Sequence, residues 1–316
     1  MATQWWRRAG LLAACASGLF LAACGGGEIE SQIAPKRMVA FGDAFADVGQ
    51  TGKRYTVNDG AKNNWTEIVA TSFKLEIAPT SAGGQSYAVG NARILAKPDA
   101  AGNPATRTVH EQIDAFLAGP GLAAEDLIVI NAGTSDLVVE LNKVIAGTQT
   151  RDQMLAAVTQ HGKDLGSEVR RLVAAGARNV VVVGPYNLGR SIWALQSRQT
   201  TLMQEASTRF NDQMLVSIVD LGANVLYVDA ALYFNLVTSS PEGYSFTNVT
   251  VTACNSLDPG PGIGTGLNEV NSNLCTGSTL VDADYEGDVF ADRIYPSPHG
   301  HRLFGEYAYN RIRERW

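Results

Sequence analysis

Carboxylates stand beside glycine just after two apolar runs of this sequence, and a third run ends in Gly-Pro. Gly42-Asp43 follows Met38-Val39-Ala40-Phe41, Gly133-Thr134-Ser135-Asp136 follows Leu127-Ile128-Val129-Ile130, and Gly184-Pro185 follows Val180-Val181-Val182-Val183. If the runs are parallel strands, these turns lie at their carboxyl ends, where an open α/β sheet collects its chemistry. Only four histidines are available as bases. His110 and His161 have no motif around them and read as surface residues, whereas His299 and His301 share the stretch Pro298-His299-Gly300-His301. No Gly-x-Ser-x-Gly elbow offers a serine nucleophile. Cys254 and Cys275 have no histidine between them, so they do not make a zinc site without further ligands. Asp282, Asp284, Glu286 and Asp288 alternate like calcium ligands but lack the glycine and distal glutamate of an EF-hand, and read as a solvated loop. The glycines from Gly260 to Gly266 are followed by no lysine or helix start, so they form a flexible loop and not a phosphate cradle. No metal and no cofactor is expected.

The elements that would position these residues alternate along the chain. The three apolar runs above, with Val225-Leu226-Tyr227-Val228, have the β-branched richness of buried parallel strands. Helical spacing runs from about Asp152 to Ala175 through Leu155, Val158, Leu165, Val169 and Leu172. It recurs from about Ser197 to Leu221 through Met203, Phe210, Met214 and Ile218, and again after Pro298 through Leu303, Tyr307 and Ile312. The alternation predicts a single α/β domain, a parallel sheet with helices on both faces. Trp65, after Asn63-Asn64, packs the start of a helix or lines a pocket, the first being the ordinary role.

Four blocks in order carry a family resemblance. Val39-Ala40-Phe41-Gly42-Asp43-Ala44-Phe45-Ala46-Asp47-Val48-Gly49 resembles the opening block of SGNH/GDSL-type esterases and lipases, which normally reads Phe-Gly-Asp-Ser. Ser86-Tyr87-Ala88-Val89-Gly90-Asn91-Ala92 resembles the second block, which usually carries a glycine pair, and Gly133-Thr134-Ser135-Asp136 the third, normally Gly-x-Asn-Asp. Asp292-Arg293-Ile294-Tyr295-Pro296-Ser297-Pro298-His299-Gly300-His301 resembles the last, normally Asp-x-x-His-Pro-Thr followed by Gly-His. The resemblance spans residues 37–314 and implies a flavodoxin-like SGNH-hydrolase sheet. It also implies hydrolysis of acyl esters, in which serine attacks the carbonyl, histidine takes its proton and aspartate orients the histidine. The serine N–H, a glycine N–H and an asparagine side chain would then hold the oxyanion.

That machinery is interrupted at each chemical step. Ala44 occupies the nucleophile slot, Tyr295 the histidine slot and Ser135 the asparagine slot, while Asn91 follows Gly90 where a second glycine is usual. The sequence leaves open whether Gly90 or Asn91 fills the glycine oxyanion slot. Asp292 alone keeps its triad position, with Asp43 and Asp136 as retained neighbours. Loss of the serine or histidine of such a triad costs about a million-fold in turnover. A tyrosine, with an ordinary pKa of about 10, is a poor base at neutral pH. His301 matches a family histidine with a structural role, which leaves His299 as the stray candidate for a rescue base.

Residues 1–23 read as a lipoprotein signal peptide. Arg7 and Arg8 precede about 15 apolar residues ending Leu21-Ala22-Ala23-Cys24, similar to a bacterial lipobox with Cys24 as the lipidated residue. Residues 24–34 form a tether and 35–316 the SGNH/GDSL-like domain. With Gly25 and not aspartate after the cysteine, the resemblance implies an outer-membrane anchor, so the membrane is met through lipid alone. Removing Arg7 and Arg8 from the 25 basic residues takes the formal charge from −6 to −8, which argues against a nucleic-acid partner. In an oxidising compartment Cys254 and Cys275 are expected to pair, closing a loop worth roughly 3 kcal/mol. The expected role is a catalytically impaired member that binds an acyl ester, glycan or protein at the former active site. The alternatives are an ester hydrolase rewired through His299 or Asp292, and a purely structural domain whose cleft is filled.

Overall fold

A computed structural model describes residues 33–316 apart from Lys62. The expected signal segment, Cys24 and all but the end of the tether therefore lie outside the described residues. In chain order the elements are β1 (Arg37–Gly42), α1 (Trp65–Ser72), α2 (Val109–Ala118), β2 (Asp126–Asn131), α3 (Thr134–Ile145), α4 (Arg151–Ala174) and β3 (Asn179–Val183). They continue with α5 (Ile192–Gln196), α6 (Thr200–Ile218), β4 (Val225–Tyr227), α7 (Ala230–Ser239), β5 (Leu257–Asp258), β6 (Glu269–Val270) and α8 (Pro298–Arg315).

β1 to β4 form a parallel sheet in that order, with Val39 opposite Ile128, Ile128 opposite Val180 and Val180 opposite Val225. Every residue of β2 is buried, as expected of a central strand covered on both faces. The segment around Ser86 runs beside the outer edge of β1. Tyr87 N–H donates to Ala40 O at 2.7 Å and Val89 N–H to Gly42 O at 3.2 Å. Lying parallel to β1, it delivers Gly90 and Asn91 to the carboxyl end of the sheet.

The helices cover both faces. α4 packs along α6 and against α3, while α1 packs along α8. Phe45, Trp65, Phe234 and Phe304 interlock α1, α7 and α8 with the turn after β1, at ring separations of 5.2 to 6.2 Å. Local sequence explains the helix starts. Asn64 with Glu67, Thr108 with Glu111 and Thr150 with Gln153 form capping boxes, and Ser297 caps α8 with Pro298 at its first turn.

The strand-to-turn junction that opens the site requires glycine. Gly42 has φ +148°, and a Cβ there would sit 1.9 Å from Asn131 O on β2. The buried Gln112 side chain of α2 clips the same residue, accepting from its N–H at 2.8 Å and donating to its carbonyl at 2.9 Å. A small antiparallel pair, β5 with β6, lies between Cys254 and Cys275, which are joined in a disulfide with a Cα–Cα distance of 5.9 Å.

Candidate active site

The four blocks converge at the carboxyl end of the sheet, and their aspartates tie them together. Asp43 follows β1. One of its oxygens accepts from Phe45 N–H at 3.1 Å and the other from Thr134 N–H at 3.1 Å and Ser135 N–H at 3.4 Å. It therefore clamps the first block onto the first turn of α3. Asp47 Oδ1 accepts from Gly49 and Gln50, and its Oδ2 from Gly90 N–H at 2.8 Å, joining the first block to the second. Asp136 on α3 takes Arg93 Nε at 3.0 Å and Ile94 N–H at 3.0 Å, joining the third block to the residues that follow the second. These carboxylates act as clamps.

Asp292 is equally committed. Its Oδ1 accepts from Ile294 N–H at 2.8 Å and Tyr295 N–H at 2.7 Å. Its Oδ2 accepts from Ser272 N–H at 3.1 Å and from the Ser272 hydroxyl. Both oxygens are filled, one by its own turn and the other by a residue of the disulfide loop.

The four slot residues of the triad and its asparagine are closed off from solvent. Ala44 and Asp292 are 0 % exposed, and Ser135 and Tyr295 are 1 % exposed. The Tyr295 ring stands edge-on to Tyr55 with centroids 5.5 Å apart. Tyr55 in turn covers Gly90 so closely that a Cβ there would meet its hydroxyl at 1.9 Å. Burial pushes the Tyr295 phenol well above its ordinary value, with the carboxylates of Asp43 and Asp292 adding to the rise. Ser135 Oγ lies near enough to oppose that rise slightly, yet it makes no hydrogen bond of normal geometry. A neutral phenol locked in that state cannot take a proton from a nucleophile.

Of the two glycine-slot candidates, Gly90 has spent its N–H on Asp47, and Asn91 is held at φ +63°. The Asn91 side chain donates to Gly262 O at 3.0 Å. His299 is directed elsewhere: its Nδ1 pairs with Glu286 O at 2.7 Å and its ring lies on Phe246 at 4.4 Å. His301 is fully buried, and its Nδ1 accepts the Trp65 N–H at 3.2 Å, tying the start of α1 to α8. Burial lowers it to about 3, so it stays neutral. Trp65 itself is fully buried in the aromatic cluster.

Three further participants, Tyr55, Gln112 and Ser272, come from segments with no motif of their own. Among the described residues no group of three or more His, Cys, Asp or Glu could hold a metal ion. A groove of about 550 Å³ lies at the other end of the sheet, lined by Pro35, Glu125 and Asn179, and contains none of these side chains.

The family model for GDSL-like lipases and acylhydrolases matches residues 38–308. The chain belongs to this family. A curated protein of Pseudomonas putida, described as an uncharacterized protein in the trpE-trpG intergenic region, is 24% identical over 309 residues. That match covers 88% of this chain and 49% of the relative, so the chain spans about half the relative's length. The crystal structure of phospholipase A1 from Streptomyces albidoflavus NA297 is similar with a TM-score of 0.45 at 15% identity, covering 88% of this chain and 98% of that one.

The buried GDSL-block carboxylates have a consequence for stability. Burial raises Asp43 to about 7 despite the N–H groups of Phe45, Ser135 and Thr134. It raises Asp47 and Asp292 to about 6 against their own donors. Each binds its proton more tightly folded than unfolded, so its contribution is complete below the ordinary carboxylate range and is lost as pH rises through about 6 to 7. His161 on α4 has the same sign. Burial opposes its charge, but Asp164, Glu140 and Asp136 outweigh burial and raise it to about 9. Glu140 runs the other way. Burial is overcome by His161 and Lys143, which hold it at about 2, so its contribution is lost only as pH falls below the ordinary glutamate value. The melting temperature is therefore expected to be higher at about pH 5 than at about pH 9. Differential scanning calorimetry across that range checks this, and a flat or rising profile toward pH 9 contradicts it.

Proposed function

We propose that this protein is a GDSL-family member that has lost ester hydrolysis and serves in the cell envelope as a lipid-anchored domain with a closed catalytic cleft. The observation that carries the reading is the Tyr295 phenol, fully buried between Tyr55 and the Asp292 turn at the position where the family's base belongs. Ala44 supplies no nucleophile, and the fourfold-bonded Asp292 has no oxygen left to orient an imidazole. The retained aspartates make sense as scaffold, because removing any of them would leave several buried N–H groups without acceptors. An acyl ester or glycan entering the old cleft would have to displace both tyrosines. This favours a role exerted through the outer surface of the anchored domain, on a protein partner.

The rewired-hydrolase alternative draws no support from the geometry, since His299 is turned onto Phe246 and Glu286. Hydrolysis of p-nitrophenyl acetate and butyrate by the purified protein tests the reading. The expected rate is that of buffer containing an inert protein.

A further inference from the structure

We infer that the disulfide-closed insert from Cys254 to Cys275 is a plug that holds the former catalytic centre shut, with Ser272 as its pin and Asp292 as its socket. The inference takes up the closed cleft on which the proposed function rests, and adds which segment closes it and how it would come away.

The insert is bonded to the last and second blocks and to segments that follow the first and third. Ser272 holds Asp292 through its N–H at 3.1 Å and through its hydroxyl, and both residues are 0 % exposed. Gly262 O receives the Asn91 side chain of the second block at 3.0 Å, and Gly264 O receives Asn142 of α3 at 2.6 Å. Arg293, beside the socket, pairs with Glu269 at 2.7 Å. From the loop after the first block, Asn58 N–H donates to Cys275 O at 3.0 Å, while Asn273 reaches back to Lys53 O at 3.0 Å.

These attachments are almost all polar. Among the described residues Cys254 and Cys275 belong to a satellite cluster whose other buried hydrophobic members are Val57 and Ala291, and Ile263, 1 % exposed, is the insert's one anchor in the main core. Leu257 and Leu267 on the insert are 61 % and 64 % exposed. A segment with few buried apolar contacts belongs to the low-stability end of a fold and opens before the sheet does. The disulfide offsets this by shortening the loop that must be ordered.

The seam between plug and site carries a second mark of a separable joint. Asn91 Oδ1, Thr265 Oγ1 and Arg293 Nε are all buried without a hydrogen-bond partner. Buried polar atoms are ordinarily paired, and each of these would gain water if the insert lifted. The closed state is thus held by the two Ser272–Asp292 bonds, by the polar contacts on Asn91, Asn142, Arg293, Asn58 and Lys53 and by Ile263 in the core, and is opposed by unpaired groups at the seam. In an oxidising envelope the plug stays seated; reduction of the disulfide, which joins the two ends of the insert, raises the entropy cost of keeping the loop ordered on the site.

Hydrogen–deuterium exchange on the full chain tests this without reference to hydrolysis, so its failure is distinguishable from failure of the proposed function. Three samples are compared with the oxidised wild type: Ser272→Ala, Cys254→Ala with Cys275→Ala, and wild type under mild reduction. Amides of residues 43–48 and 88–94 are expected to exchange at least about tenfold faster in each, while β2 and β3 keep their rates. Unchanged exchange at residues 43–48 and 88–94 in Ser272→Ala would overturn the plug. So would acceleration of β2 and β3 in parallel with those residues, since the insert would then be part of the global fold. If the cysteine variant does not fold, Ser272→Ala and the reduced wild type still decide the matter.

Discussion

Asp292→Ala is expected to destabilise the protein by about 4 kcal/mol or more while leaving its rate on esters unchanged. The substitution strips the acceptor from four buried donors at once: the N–H groups of Ile294, Tyr295 and Ser272, and the Ser272 hydroxyl. A buried donor left unsatisfied costs about 1–3 kcal/mol, more where the lost partner carried charge. Part of this is recovered if water enters, so the lower end of the sum is the expected value. For a chain of this length the melting temperature should fall by roughly 10 °C. Thermal unfolding of the purified variant measures it, and a loss under about 1 kcal/mol would contradict the clamp role. In a working triad the aspartate behaves oppositely: its removal costs about ten-thousand-fold in turnover and leaves the geometry intact. One residue thus separates the two accounts by which quantity it moves.

Restoring the two missing catalytic side chains is expected to be insufficient. In Ala44→Ser with Tyr295→His, the serine and imidazole return, but Asp292 Oδ2 remains occupied by Ser272 and cannot orient the ring. An imidazole without its aspartate forfeits about ten-thousand-fold, so the double variant should stay within about tenfold of background. Adding Ser272→Ala removes the hydroxyl from that oxygen and unpins the insert. The triple variant is expected to exceed the double by about a hundred-fold or more on p-nitrophenyl butyrate. Parallel steady-state assays of the two decide it, equal rates being the contrary outcome.

Much of the frame was legible in the residues. The Val- and Ile-rich runs are β1 to β4, and the spacing of Leu155 to Leu172 and of Met203 to Ile218 marks α4 and α6, which cover the sheet. The glycine and aspartate of the first and third blocks were readable because a tight strand-to-turn junction admits few residue types. Gly42 has a neighbouring carbonyl where a side chain would be.

Closure of the cleft was not legible. Tyr55 and Ser272 come from irregular segments without periodicity. Their meeting with Tyr295 and Asp292 is fixed by tertiary packing, which no local pattern encodes. Sequence could likewise rank Gly90 and Asn91 only as a pair. The hydrogen bond from Gly90 to Asp47 separates them, and it depends on two blocks about forty residues apart being brought together. The segment from Ser86 to Ala92 shows the same limit, since it carries a motif but its place beside β1 emerges only from the pairing with Ala40.

The central claim, that a GDSL-family chain has kept its scaffold and lost its reaction, is tested most directly by the hydrolysis rate of the wild-type protein itself. With p-nitrophenyl butyrate as substrate, the account predicts turnover indistinguishable from an equal concentration of inert protein, and no change on His299→Ala. Turnover clearly above that background, abolished by His299→Ala, would contradict it.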